Sequence, residues 1–197
     1  MIMTAITAQS LMPLEQYAKS RKAFREQVLA HKKHRTMQLG GHITLVFEDE
    51  LTMRYQIQEM LRVERIFEED GIRSELDAYN PMVPDGSNWK ATMLIEYPDI
   101  EERRVALGKL IGIEDRTWVR IANHARVYAI ADEDLDRDNA DKTSAVHFLR
   151  FELSPDMKQS LKDGAGLSLG VDHPNYTVTL EKASEPMAAS LLKDLVF

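Results

Sequence analysis

The residues of this chain best suited to chemistry lie on and around one stretch, ITLVFEDE followed by LTMRYQIQEMLRVERIFEED, residues 43–70. It reads as a buried strand, a sharp turn and a long helix. On that helix Glu59 and Arg62 stand i, i+3, close enough for the guanidinium to fix the carboxylate. Glu64 lies one turn further on. Glu48 closes the strand beside the helix start, a position from which side chains often enter a site. His147, far along the chain in SAVHFLRFEL, is a histidine among apolar neighbours. A neutral imidazole there suits proton transfer or ligation. Glu59, Arg62, Glu64 and His147 form the candidate catalytic set. Glu48, Glu59 and His147 form a candidate metal set, whose oxygen and nitrogen donors suit iron, manganese or zinc. The plainer readings are a solvated helix face laced with ion pairs and a core histidine held by a hydrogen bond.

Other constellations carry less. His31 and His34 stand i, i+3 with no third ligand type beside them. ADEDLDRDNAD, residues 131–141, resembles a calcium loop at first sight. Counted from Asp132, however, its sixth position is Arg137 and its twelfth Thr143, where glycine and glutamate are needed. It reads as an acidic loop that could oppose the basic first helix. Gly164, Gly166 and Gly170 read as a loose glycine-rich loop that lacks the G-x-G-x-x-G spacing of a dinucleotide site. The first helix carries Arg21, Lys22, Arg25, Lys32, Lys33 and Arg35, a patch for an acidic partner or RNA, or an ordinary solvated face. The chain has no cysteine, which removes thiolate catalysis, disulfides and cysteine-held metals within it.

The elements that must position these residues follow from periodicity and breakers. Residues 1–13 read as a flexible start without the basic and apolar regions of a signal peptide. Leu14 to about His34 reads as a helix with a thin apolar stripe of Tyr17, Phe24, Val28 and Leu29. Gly40 and Gly41 break the chain before the strand. The central helix runs from Leu51 to Asp70, and Gly71 is its expected end. A short helix, Ile72 to Tyr79, and a turn-rich loop follow. A strand at Trp89 to Tyr97 comes next, then a helix capped by Asp99. Trp118 to Ile130 reads as a hairpin with His124 at its tip. Ser144 to Leu153 alternates, with Ala145, His147, Leu149, Phe151 and Leu153 on one face. Ser154 caps a helix at Pro155, and Tyr176 to Glu181 alternates again. A final helix carries Leu191, Leu192 and Leu195 and could close the core or a dimer seam.

The pattern predicts a single α+β domain over residues 14–197, with a mixed β-sheet and helices mainly on one face; a parallel α/β sheet is the alternative. Net charge is −7, which disfavours nucleic-acid binding over the whole surface. No apolar run approaches the roughly 18 residues of a membrane span.

RYQIQEMLRVERI, the opening LEQYAKSRKAFREQVLAHKKHR and SAVHFLRFEL together resemble a bacterial family, domain of unknown function 3501, from about Leu14 to about Leu153. The resemblance implies a cytoplasmic protein whose genes neighbour those of rubrerythrin-like and iron–sulfur proteins. It therefore implies an accessory or interaction protein of oxidative-stress chemistry, with such a protein as its partner. A metal-dependent enzyme using the Glu/His/Arg set is the alternative.

Overall fold

The computed structural model describes residues 5–134, 137 and 141–197. In chain order the elements are α1 (Leu14–Lys32), β1 (Thr36–Leu39), β2 (Ile43–Glu48), α2 (Glu50–Glu64), α3 (Glu69–Tyr79), β3 (Asn88–Ile95) and α4 (Ile100–Lys109). They continue with β4 (Thr117–Ile121), β5 (Val127–Tyr128), β6 (Ile130–Ala131), β7 (Val146–Glu152), α5 (Pro155–Lys162), β8 (Leu167–His173), β9 (Tyr176–Leu180) and α6 (Glu185–Leu192).

The architecture is α+β. In place of one mixed sheet there are two, ordered β1-β2-β3-β7-β6 and β5-β4-β8-β9, and every paired strand is antiparallel. The chain crosses between them at Ala129, where β5 of the second sheet gives way to β6 of the first. The sheets enclose the main core: Leu45, Trp89, Met93, Leu149 and Phe151 come from one, Val119, Leu169 and Val171 from the other. Leu107 of α4, Leu161 of α5 and Leu191 of α6 also enter that core. A second, smaller core of Ile6, Met53, Ile57, Leu61 and Leu76 lies among the helices.

Local signals explain most boundaries. Asp49 caps α2, its carboxylate accepting from Thr52 N while the Thr52 hydroxyl accepts from Asp49 N, which satisfies donors that the first helical turn leaves open. Asp99 caps α4 and Ser154 caps α5 in the same way. The expected central helix, however, stops at Glu64. Arg65 turns left-handed with φ 55°, and Gly71 falls inside α3 rather than ending α2. The glycine is needed there because a Cβ would come 2.6 Å from Ile66 Cγ2.

The glycine-containing segment expected as a loop is in part β8, a strand buried almost throughout. Gly170 is its closest approach: a Cβ there would lie 2.5 Å from both Trp118 Cζ2 and the Val178 carbonyl. Residues 5–13, expected as a loose start, are tied down. Ile6 is buried and exchanges hydrogen bonds with the Asn80 amide, and Met12 N donates to Gln58 Oε1.

Candidate functional site

The alternation of β7 decides where the predicted site residues go. Successive strand residues face opposite ways. His147, Leu149 and Phe151 face the core between the sheets; Val146, Phe148 and Arg150 face outward toward α3. Glu48, Lys90 and Arg150 are direct partners across β2, β3 and β7, so they share that outer face. His147 is therefore separated by the sheet from Glu48. The structure does not assemble Glu48, Glu59 and His147 into one site, nor His147 with Glu59, Arg62 and Glu64. It builds three separate polar clusters instead.

Glu59 lies between α1 and α2. Arg21 grips it with Nε and Nη2 at 2.8 and 2.9 Å, Tyr17 donates its hydroxyl at 2.6 Å, and Arg62 adds a longer contact at 3.4 Å. The Arg21 bonds, with help from Tyr17 and Arg62, hold the Glu59 carboxyl down at about 2, against the opposing effect of burial. A carboxylate so acidic and so fully engaged is a poor base and an effective clamp. Glu64 is exposed at the helix end. Of the six basic residues expected on the outside of the first helix, Arg21 is thus committed to Glu59 and Arg35 is buried.

Arg35 centres the second cluster. It is 1% exposed, donates to the carbonyls of Phe47 and Glu48, and forms a fork with Asp194 at 3.2 and 2.5 Å. Asp49 stands 3.5 Å from its Nε and pairs with His31 at 2.5 Å. His31 is thus committed to Asp49, while His34 points to solvent. Burial raises the Asp194 carboxyl to about 6 despite Arg35.

The third cluster is the candidate cation centre. His147 is fully buried. Its Nδ1 lies 2.5 Å from Asp132 Oδ2, its Nε2 2.8 Å from Thr143 Oγ1, 3.1 Å from the Ser144 carbonyl and 3.7 Å from Glu114 Oε2. One ligating atom each from Glu114, Asp132 and His147 lie within 4.8 Å of one another. Asp132 is itself fixed by Phe148 N at 2.9 Å and Arg137 Nε at 3.0 Å.

This arrangement constrains the ring. With Nδ1–H donated to the Asp132 carboxylate, the lone pair of Nε2 faces oxygens of Ser144 and Glu114. The Thr143 hydroxyl, nearer still at 2.8 Å, donates to that lone pair, and a metal ion held by Nε2 and Glu114 would take the place of that bond. Ligands about 2.1 Å from a common ion stand roughly 3.0–3.4 Å apart, so the 3.1 and 3.7 Å separations need only slight tightening. Of the acidic segment at residues 131–141, three described acids are committed away from α1: Asp132 turns inward to His147, Glu133 pairs with Arg150, and Asp134 pairs with Arg137. Of that segment, residues 135, 136 and 138–140 lie outside the described residues.

The outer face carries two adjoining hollows of about 290 Å³ each, which share Tyr79, Met82 and Phe148 as walls. One holds Glu48, whose Oε1 accepts from Thr92 at 2.7 Å and whose buried Oε2 has no hydrogen-bond partner among the described residues. The other holds Lys90, Glu133 and Arg150.

Sequence reasoning named His147 and placed it on the correct face. It missed Asp132 and Glu114 as its partners. The available signal was positional: a short apolar pair, Ile130-Ala131, directly precedes Asp132, and that pair hydrogen-bonds to the strand carrying His147.

Fold and site together define a two-sheet α+β protein with a buried imidazole–carboxylate centre and an open groove on the far side of the same strand. The chain belongs to the DUF3501 family of proteins of unknown function, whose model matches residues 5–195. A solved structure described as a novel protein of unknown function from Burkholderia pseudomallei is similar to it, at 57% identity and a TM-score of 0.94, over 98% of this chain and 100% of that one. No curated protein matches the sequence. No helix among the described residues is long and apolar enough to cross a membrane.

Proposed function

We propose that this chain is a divalent-cation-binding protein, with His147 Nε2 and Glu114 as ligands and Asp132 orienting the ring from Nδ1. The observation that carries the reading is the buried approach of His147 Nε2 to Glu114 Oε2 at 3.7 Å, with the Asp132 carboxylate on the far ring nitrogen at 2.5 Å and all three residues grouped within 4.8 Å. A carboxylate on the far nitrogen of a ligating histidine fixes its tautomer and raises its basicity. Because His147 is 0% exposed, the centre is closed, and the ion stabilises the junction of β6, β7 and the turn before β4. Oxygen-rich donors with one imidazole suit manganese, iron or zinc.

The test is metal content and binding. Chelated protein is titrated with Mn²⁺, Fe²⁺ and Zn²⁺ beside His147→Ala and Glu114→Gln. Near 1:1 binding, lost in both variants, is expected, with a stabilisation of about 2.7 kcal/mol at a hundredfold excess over Kd. Protein that binds none of the three ions, or variants that bind as well as the parent, would overturn the reading and leave His147 as a core residue held by Asp132 and Thr143.

A second reading, an accessory protein for rubrerythrin-like or iron–sulfur proteins in oxidative-stress chemistry, is supported by one surface. At the α2–α3 junction Phe67 is 69% and Val63 58% exposed, beside an apolar hollow lined by Leu11, Leu61, Ile66 and Ile72. Exposed apolar clusters of this kind mark docking sites. Purified rubrerythrin-like protein should bind the parent chain and bind Phe67→Ser at least tenfold more weakly; equal binding by both would remove this surface from the account.

A further inference from the structure

We propose that Lys90 is a carbonyl-binding lysine: its amine, in the hollow between α3 and the outer face of the first sheet, takes a small apolar aldehyde or ketone as an imine. Three observations carry this. The walls beside it, Tyr79, Met82 and Phe148, are largely apolar, and the hollow of about 290 Å³ fits a molecule of a few carbons. The Lys90 side chain is half-buried, yet it makes no hydrogen bond or ion pair among the described residues.

The third observation is the fate of its charged neighbours. Arg150 stands directly across the strand pair from Lys90. It grips both oxygens of Glu133 at 2.7 Å and also bonds Glu152. Glu152 further accepts from Asn88, and Asp85 accepts from Ser87. The three carboxylates that act on the amine, Glu133, Asp85 and Glu152, are thus already engaged, while the Arg150 cation remains beside it. Burial, and then the Arg150 charge, push the amine below the ordinary lysine range, with Glu133, Asp85 and Glu152 opposing them. A lysine desolvated beside another cation is the usual form of an amine that acts as a nucleophile.

A neutral carbonyl fits better than an anion, because Asp77, Glu133 and Asp134 line the same hollow and would repel a carboxylate. In the reaction the Nζ lone pair attacks the carbonyl carbon and the C=O π electrons pass to oxygen. The proton lost from nitrogen and a second from solvent release that oxygen as water, leaving a protonated C=N bond to Lys90. No oxidant or reductant is needed. The proposal is independent of the cation centre, whose ligands lie on the other face of β7.

The test uses the full chain with 3-methylbutanal and sodium cyanoborohydride near neutral pH, where hydride trapping converts each imine to a stable secondary amine located by peptide mass spectrometry. Lys90 should be alkylated about tenfold faster than exposed Lys19, and the advantage should vanish in concentrated guanidinium chloride. Lys90→Arg should lose the fast site and leave the rates at the other lysines unchanged. If Lys90 in the native chain is labelled no faster than Lys19, or if its advantage survives denaturation, the proposal fails, and the cation titration above is unaffected by that result.

Discussion

Replacing Glu59 by glutamine tests whether this carboxylate is a clamp or a reactive group. The gap between its ordinary 4.5 and its value of about 2 in the fold corresponds to about 3.4 kcal/mol at 1.36 kcal/mol per tenfold. Glu59 is 14% exposed, but its partners Arg21 and Arg62 are 37% and 38% exposed, and screening reduces such pairs, so about 1.5–2 kcal/mol is the working figure. The sign follows from the direction. The folded carboxyl is the more acidic one, so its contribution is present above about 4.5, the unfolded value, and is lost as pH falls through about 2. Glu59→Gln should therefore lower stability in urea at pH 7 by about 1.5–2 kcal/mol, or Tm by about 3–8 °C for a domain of this size. The difference from the parent should shrink steadily between pH 4.5 and 2. A variant as stable as the parent at pH 7, or a deficit that stays constant down to pH 2, would refute the reasoning.

Three further outcomes follow from the packing. Gly170→Ala should destabilise by about 2–3 kcal/mol, since the new methyl meets the Trp118 ring and the Val178 carbonyl at 2.5 Å and backbone cannot yield cheaply; thermal unfolding measures it, and a neutral result would mean that β8 and β9 can separate. Arg35→Ala should cost about 3–5 kcal/mol by leaving Asp194 buried and unpaired, whereas Arg35→Met with Asp194→Leu should recover most of that, which a double-mutant cycle in urea resolves; equal losses in both would sink the account. The Asp194 carboxyl should titrate near pH 6 by carbon NMR. Because its folded value lies above the ordinary 3.8, its contribution to stability is full below about pH 3.8 and is lost as pH rises through about 6; a midpoint under pH 4 would show that Arg35 outweighs burial.

Much of the fold was legible where local signals and burial agree. The caps Asp49, Asp99 and Ser154 start helices as their residue types predict, and the alternation in β7 put His147 among the core residues. The misses share a cause. Gly170 reads as a loop residue because glycine is rare in strand interiors, yet here the Trp118 ring occupies the space a side chain would take. Arg65 gave no sign of a helix stop, since its left-handed turn is imposed by α3 folding back rather than by its own preference. The partners of Glu59 and His147 are long-range: Arg21 reaches Glu59 from α1, and Asp132 and Glu114 reach His147 from other turns. Spacing along a helix revealed only Arg62, the weakest of the contacts to Glu59.

What ties the two faces of β7 together is the short segment Asp132–Asp134. Asp132 sits at φ 47°, a left-handed turn that sends its carboxylate inward to His147 while the next residue, Glu133, reaches outward to Arg150. Arg137 forms an ion pair with Asp132 and lays its guanidinium over the Phe148 ring at 4.5 Å, and that ring is a wall of both outer hollows. An ion bound at His147 would alter the charge that Asp132 must balance. Asp132 shares its backbone with Glu133, and the guanidinium of its partner Arg137 lies over Phe148. The same few residues therefore border both the closed centre between the sheets and the open groove outside it.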